Sequence, residues 1–297
     1  MEYMLVCRQI NTIGVIVHRL DGHFTTSVLQ GIESITASYG YETIITHSQE
    51  DREIEVANAK LLLNRGVDGV IASLSSRTES LKHFEAFAQH HIPVVFFDRV
   101  ANTNKSDVVV IDNSHCGFLA TEHLINQGCR RIAIVTSTLE RNVYAQRYTG
   151  FRSALRKYNI PFSHDLMVVG DIDSEGGVEA ARRILKMSPL PDGLFITSDL
   201  VAAICIRTLQ EAGIRVPEDI AVVGFNNDPV GRLITPKLTT IDYNGFEVGK
   251  IAAMSLLNHL SDREPGAGSR TAVIPAGLIV RDSSLRRGRG AQVTIPS

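Results

Sequence analysis

The chain has 297 residues, 44% hydrophobic and 21% charged, the proportions of a soluble globular protein long enough for two domains. A formal net charge of −2 and a pI near 6.6 give no overall attraction to nucleic acid or an anionic membrane, so DNA binding would need a local basic module. No apolar run reaches the ~18 residues of a membrane span, and the opening MEYMLVCRQI lacks the layout of a signal peptide, which places the chain in the cytoplasm.

In chain order, short β-branched runs alternate with longer amphipathic stretches. The strands expected first are Ile13–Val17, Tyr41–His47, Val67–Ser73, Ile92–Asp98 and Asp107–Asp112, all apolar on both faces as in a parallel sheet covered by helices. Helical patterns lie between them at Val28–Ser38 and Ile54–Arg65, the latter with Gly66 as its C-cap. The alternation then repeats: RIAIVTS, YTGFRSALRKYNI, DLMVVGD, GGVEAARRILKMSPLPDGLFITSD and VPEDIAVVGFNND. Asp68-Gly69 before VIAS is echoed by Asp192-Gly193 before LFITS, and Gly31 by Gly150. Two doubly wound α/β units in tandem are expected rather than one large sheet.

Ligands of an open parallel sheet bind beyond the carboxyl ends of its strands. The candidates in the first unit are His18 to Thr25, His47-Ser48, Ser73, Asp98-Arg99 and Asp112-Asn113. In the second they are Thr136-Ser137-Thr138, Arg141, Arg147, Asp171, Ser198-Asp199 and Asn226-Asn227-Asp228. Carboxylates, amides, hydroxyls, guanidinium groups and the Phe24 ring suit a small polyhydroxylated or otherwise polar ligand.

Other chemistries find no motif. No G-x-G-x-x-G follows the first strand, no phosphate loop occurs, and Gly266 and Gly268 of PGAGSR read as a linker. Nucleophile elbows and H-E-x-x-H are absent, and neither the ten scattered histidines nor the carboxylates show metal-ligand or acid/base spacing. The chain is therefore read as a binding protein with no cofactor and no metal, not an enzyme. Cys7, Cys116, Cys129 and Cys205 lack CxxC spacing and are expected as buried thiols. Asn104-Lys105-Ser106 is read as a chance sequon, and the arginines of LRRGRG, Leu285 to Gly290, as a solvated tail.

The ordered segments NTIGVIV, LLLNRGVDGVI, IPVVFFDR, VVIDNSHCGFLATEHLINQGCRRIAIV, RYTGFRSAL, PDGLFITSD, GIRVPEDIAVVGFNND and TPKLTTIDYNGFEVGKIAA resemble the effector-binding core of the LacI/GalR transcriptional regulators, itself similar to periplasmic sugar-binding proteins. The likeness runs from about Asn11 to Ser284. It implies two lobes joined by three crossovers near Gln127-Gly128, Asp242-Tyr243 and Ser261. Residues 11–127 with 244–261 would form the N-terminal lobe and 128–243 with 262–285 the C-terminal lobe, leaving 1–10 as a leader or hinge remnant and 286–297 as a tail. The helix from Phe246 to Leu260 would return to the first lobe, and the strand TAVIPAGLIV to the second.

By the same likeness a sugar or nucleoside effector lies between the lobes, and its contacts fall on Phe24, Thr25, Asp98, Arg99, Arg147, Phe195, Ser198 and Asn226. Arg147 of RYTGF is the foremost, since a guanidinium can donate to two ligand oxygens. The first loop reads DGHFTT where the family often has SNPFF, Asn226 stands where Asp is common, and Cys129 replaces a usual His. Ten residues before Asn11 cannot hold the family's helix-turn-helix head, so operator DNA is expected as a partner only through a head absent from this chain. The resemblance implies a homodimeric, ligand-sensing core of a transcriptional regulator. Delivery of a solute to a transporter is the alternative.

Overall fold

The apolar runs of the first half pair side by side because each can hide both faces only beneath helices. They form β1 (Thr12–Val17), β2 (Glu42–His47), β3 (Gly69–Ala72), β4 (Val94–Phe97) and β5 (Asp107–Ile111). The computed structural model describes residues 10–101, 106–261 and 269–286. Most of the leader, Cys7, Asn104-Lys105, Gly266, Gly268 and the tail beyond Arg286 lie outside them. The chain divides into unit 1, residues 1–111 with 245–274, and unit 2, residues 112–244 with 275–297. Among the described residues no helix is long and apolar enough to cross a membrane.

Unit 1 holds a six-stranded parallel sheet in the order β11-β5-β4-β3-β1-β2, where β11 is Thr271–Ile274. Every residue of central β1 is buried, whereas β2, at the edge, leaves Ile45 47% exposed. The helices are α1 (His23–Ser38), α2 (Arg52–Arg65) and α3 (Lys82–Gln89). Asp51 caps α2 by accepting from the Glu53 and Ile54 amides, and Gly66 closes it in the left-handed region at φ 73°, as its sequence predicts. The apolar period of α1 predicts a start at Val28, but the helix begins five residues sooner. Gly22 takes an extended conformation and its carbonyl accepts from the Thr26 amide. Phe24 and Thr25 therefore stand in the first turn of a helix, not in a loop.

Unit 2 repeats the plan with α4 (Asn113–Asn126), β6 (Ile132–Thr136), α5 (Asn142–Lys157), β7 (Met167–Val169), α6 (Ser174–Leu185), β8 (Gly193–Ile196) and α7 (Asp199–Glu211). β9 (Ala221–Phe225), short α8 (Val230–Leu233), β10 (Thr239–Asp242) and β12 (Gly277–Ile279) complete it, in the order β12-β10-β9-β8-β6-β7. All pairs are parallel except β12 on β10. Ala133, Val135, Leu194 and Ile196 pack with α6 and α7 on one face of this sheet.

The echoed sequence pairs acquire a physical meaning. Asp68 accepts from the Thr12 amide at 2.9 Å at the start of β1, and Asp192 accepts from the Arg130 and Arg131 amides at the start of β6, so each carboxylate aligns the first strand of its unit. Gly31 of α1 faces α9 (Gly245–Ser261), where a Cβ would strike the Phe246 carbonyl; Gly249 of α9 faces the Val28 carbonyl in return. In unit 2, Gly150 of α5 faces the Ser114 carbonyl and Gly117 of α4 the Arg147 carbonyl.

These glycine crossings move two lobe boundaries. The chain changes unit between Ile111 and Asp112, before α4 rather than near Gln127-Gly128, because α4 fits the glycine face of α5. The second change falls at Asn244-Gly245, next to the expected place, and α9 covers β3, β4 and β5 of unit 1. The third falls not near Ser261 but between Ile274 and Pro275: the run TAVIPAGLIV is cut in two, β11 joining β5 and β12 joining β10. Pro275 has no amide hydrogen to continue a ladder. Nor is the start of the basic run solvated, since Arg286 donates to the carbonyls of Pro217, Asp192 and Asp219 in unit 2.

Candidate functional site

In both sheets the strand order reverses beside the first strand, between β3 and β1 to one side and β2 to the other in unit 1, and likewise around β6 in unit 2. Strand-end loops at such a point splay apart and leave a place for a ligand.

At that point in unit 1 the ends of β1, β3 and β4 present His18, Ser73, Asp98 and Arg99. Arg99 Nη1 donates to both Glu50 oxygens at 2.6 and 2.8 Å, and Glu50 also accepts from the Ser76 amide at 2.8 Å. Burial opposes the Glu50 charge, but the Arg99 cation and these hydrogen bonds outweigh it and hold the carboxyl below its usual range. Desolvation, then the nearby Arg99 cation, push His18 down to about 3, so its imidazole is neutral. Its Nδ1 lies 3.5 Å from the Ser73 hydroxyl. Asp98 has φ 55°, a conformation that Asp tolerates better than most residues, while its amide donates to the Val109 carbonyl. Phe24 is half-buried and Thr25 buried in the first turn of α1; a Cβ on Gly245 would lie 3.2 Å from the Phe24 ring.

A second carboxylate holds the loop after β3. Glu55 of α2, with no exposed surface, accepts from the Ser75 amide at 2.6 Å, the Thr78 hydroxyl at 2.7 Å and His83 Nε2 at 2.9 Å.

In unit 2 two of the expected residues, Arg147 and Phe195, meet the Phe225 ring. Arg147 is buried, stacks its guanidinium 3.6 Å from the Phe225 ring centre, and donates to the Asn113 side-chain oxygen at 2.8 Å and the Thr197 carbonyl at 3.2 Å. Phe195 is fully buried, its ring centre 6.4 Å from that of Phe225. Ser198 follows Thr197 as the N-cap of α7, its side chain making no capping bond. Asn226 follows Phe225 at φ 115° and donates its amide to the Ile241 carbonyl. Asp98 and Asn226 thus occupy equivalent places, the residue after β4 and after β9, and both carry an unfavourable backbone conformation of the kind that gathers at ligand sites.

The sequence alone did not single out Glu50 or Phe225 as contributors. Phe225 reads as an interior strand residue, and its use as a platform for Arg147 depends on which helix covers that face. Asp199 is buried and accepts from the Thr240 hydroxyl and the Asp228 amide; desolvation raises its pKa to about 7 against those bonds.

The periplasmic binding protein-like domain matches residues 121–284. Catabolite control protein A of Priestia megaterium is 30% identical over 261 residues, 88% of this chain and 78% of that protein. The HTH-type transcriptional repressor PurR of Vibrio atlanticus shows the same identity and the same shares. In three dimensions, a LacI family transcriptional regulator from Enterococcus faecium with bound ribose superposes with a TM-score of 0.81 at 29% identity, covering 92% of this chain and 98% of that one. These relatives are transcriptional regulators rather than enzymes, and the chain belongs to the LacI/GalR family of transcriptional regulators as a core of periplasmic-binding-protein-like fold.

Proposed function

We propose that the chain is the ligand-sensing and dimerisation core of a transcriptional regulator, taking a small, polar, sugar-like effector on the strand-end residues Phe24, Thr25, Asp98 and Arg99 of unit 1 and Arg147, Phe195, Ser198 and Asn226 of unit 2. Arg147 carries the reading. Its guanidinium is fixed by Phe225, Asn113 and Thr197 before any ligand arrives, so little freedom is lost on binding. The ribose held by the Enterococcus faecium regulator supports a sugar-like effector, and repressors among the relatives favour regulation over solute transport. The protein works in the cytoplasm as a homodimer, and operator DNA is read by an N-terminal helix-turn-helix head.

For the effector to alter DNA binding it must favour one conformation, with a coupling typically of ~1–3 kcal/mol. Titration calorimetry against a panel of sugars, sugar phosphates and nucleosides tests the assignment. The native chain is expected to bind a member of the panel and Arg147→Ala to bind it at least tenfold more weakly while keeping its circular dichroism. Equal binding by the variant removes Arg147 from the site.

A further inference from the structure

Unit 2 contains a group of side chains whose chemistry goes further than hydroxyl recognition. β6 ends at Thr136, and the loop beyond it leads through Arg141, the N-cap residue, into the 16-residue helix α5. Ala133 and Val135 face α6 and α7, so by strand alternation Thr136 lies on the opposite sheet face, the one covered by α4 and α5. The Thr136 hydroxyl is fully buried and makes no hydrogen bond among the described residues. A hydroxyl so placed costs stability unless something occupies it.

The first turn of α5 carries no acidic residue and no side-chain cap. Its backbone amides and dipole therefore point a positive end at the loop after β6. Arg141 at that end and Arg147 one and a half turns on are 8% and 4% exposed, and each retains its cation at any pH of interest. Glu140, the neighbouring acid, is exposed. Across the same strand ends, Asn226 contributes an amide without a charge, and Asp199 is drawn toward its neutral form.

We propose that the effector carries an anionic group, a carboxylate or a phosphate, and that unit 2 holds it with the N-terminus of α5, Arg141, Arg147 and the Thr136 hydroxyl. This rests on the reading of the chain as an effector sensor. A helix N-terminus with buried arginines beside it accepts either anion in the same way. Polyhydroxy acids and sugar phosphates are thereby favoured over neutral sugars.

Calorimetry of the full chain with D-ribose, ribose 5-phosphate and D-gluconate separates the possibilities. At least one anionic probe is expected to bind tenfold or more tightly than ribose; a lead for ribose 5-phosphate marks a phosphate, one for gluconate a carboxylate. Arg141→Gln should reduce that preference to under threefold. Thr136→Val, which removes the unpartnered hydroxyl at constant shape, should weaken the anionic probe while raising the melting temperature of the ligand-free protein, so a folding failure is not mistaken for a binding effect. Ribose binding as tightly as both anions, or a preference that survives both substitutions, overturns the anionic site and leaves the sensor reading standing. No binding by any of the three probes overturns both.

Discussion

His18 shows how a single side chain at the site couples folding to pH. Desolvation and Arg99 depress its pKa from 6.5 to about 3, so the unfolded chain binds more protons between those values and stability falls as pH drops below about 6.5. His123, whose Nε2 lies 2.7 Å from the Ser284 hydroxyl, is lowered to about 4 by desolvation and acts in the same direction. Asp199 opposes both: raised to about 7, it favours the folded state as pH falls from 7 toward 4. A comparison of variants isolates the first term. Between pH 7 and pH 5, His18→Gln is expected to lose about 1–2 kcal/mol less stability than the native chain, read from urea unfolding at both pH values. Parallel losses in the two proteins would show that His18 titrates normally. At this scale the positions of the candidates Asp98, Arg147, Ser198 and Asn226 were legible, because they follow or face strand ends that composition marks clearly. Glu50 was not, since its role depends on φ 61° in a turn that brings it to Arg99.

At the scale of elements, α4 with α5 and α1 with α9 form equivalent pairs locked by reciprocal glycines. A Cβ on Gly150 would sit 2.6 Å from the Phe118 amide nitrogen and closer still to the Ser114 carbonyl, both rigid backbone groups. Gly150→Ala gains up to about 1 kcal/mol of helix propensity, but separating the helices is expected to cost more, for a net loss of about 1–3 kcal/mol. Denaturant unfolding checks this, and an unchanged midpoint would mean that the crossing relaxes freely. Strands and helices were legible in order because β-branched runs and 3.6-residue periods are local signals. The partner of α4 was not, since an amphipathic period does not say which sheet it covers. The signal lay in the glycines: Gly117 in α4 matches Gly249 in α9, α4 opening unit 2 after a strand of unit 1 and α9 re-entering unit 1 after a strand of unit 2.

At the scale of the whole molecule, the two-unit plan could be read from the repeated Asp-Gly pairs and the return of α9 to unit 1 from the family resemblance, but the places where the chain leaves unit 1 at Ile111 and at Ile274 could not. Unit 1 needs residues from both ends of its sequence, since α9 covers β3, β4 and β5, and β11 supplies the edge beside β5. Unit 2 draws nearly everything from the continuous stretch 112–244, taking from later residues β12, the Ser283 and Ser284 contacts with Val222 and Thr239, and the Arg286 anchor. Closing a long loop costs entropy before any contact repays it. The order of folding should therefore run against the order of the sequence. In pulsed hydrogen exchange during refolding, amides of β8 and β9 are expected to gain protection before those of β3 and β4, and simultaneous or reversed protection would contradict this. During synthesis the same arithmetic applies in time: the half made first must wait, incomplete, until the half made second has emerged and handed back the helix it carries.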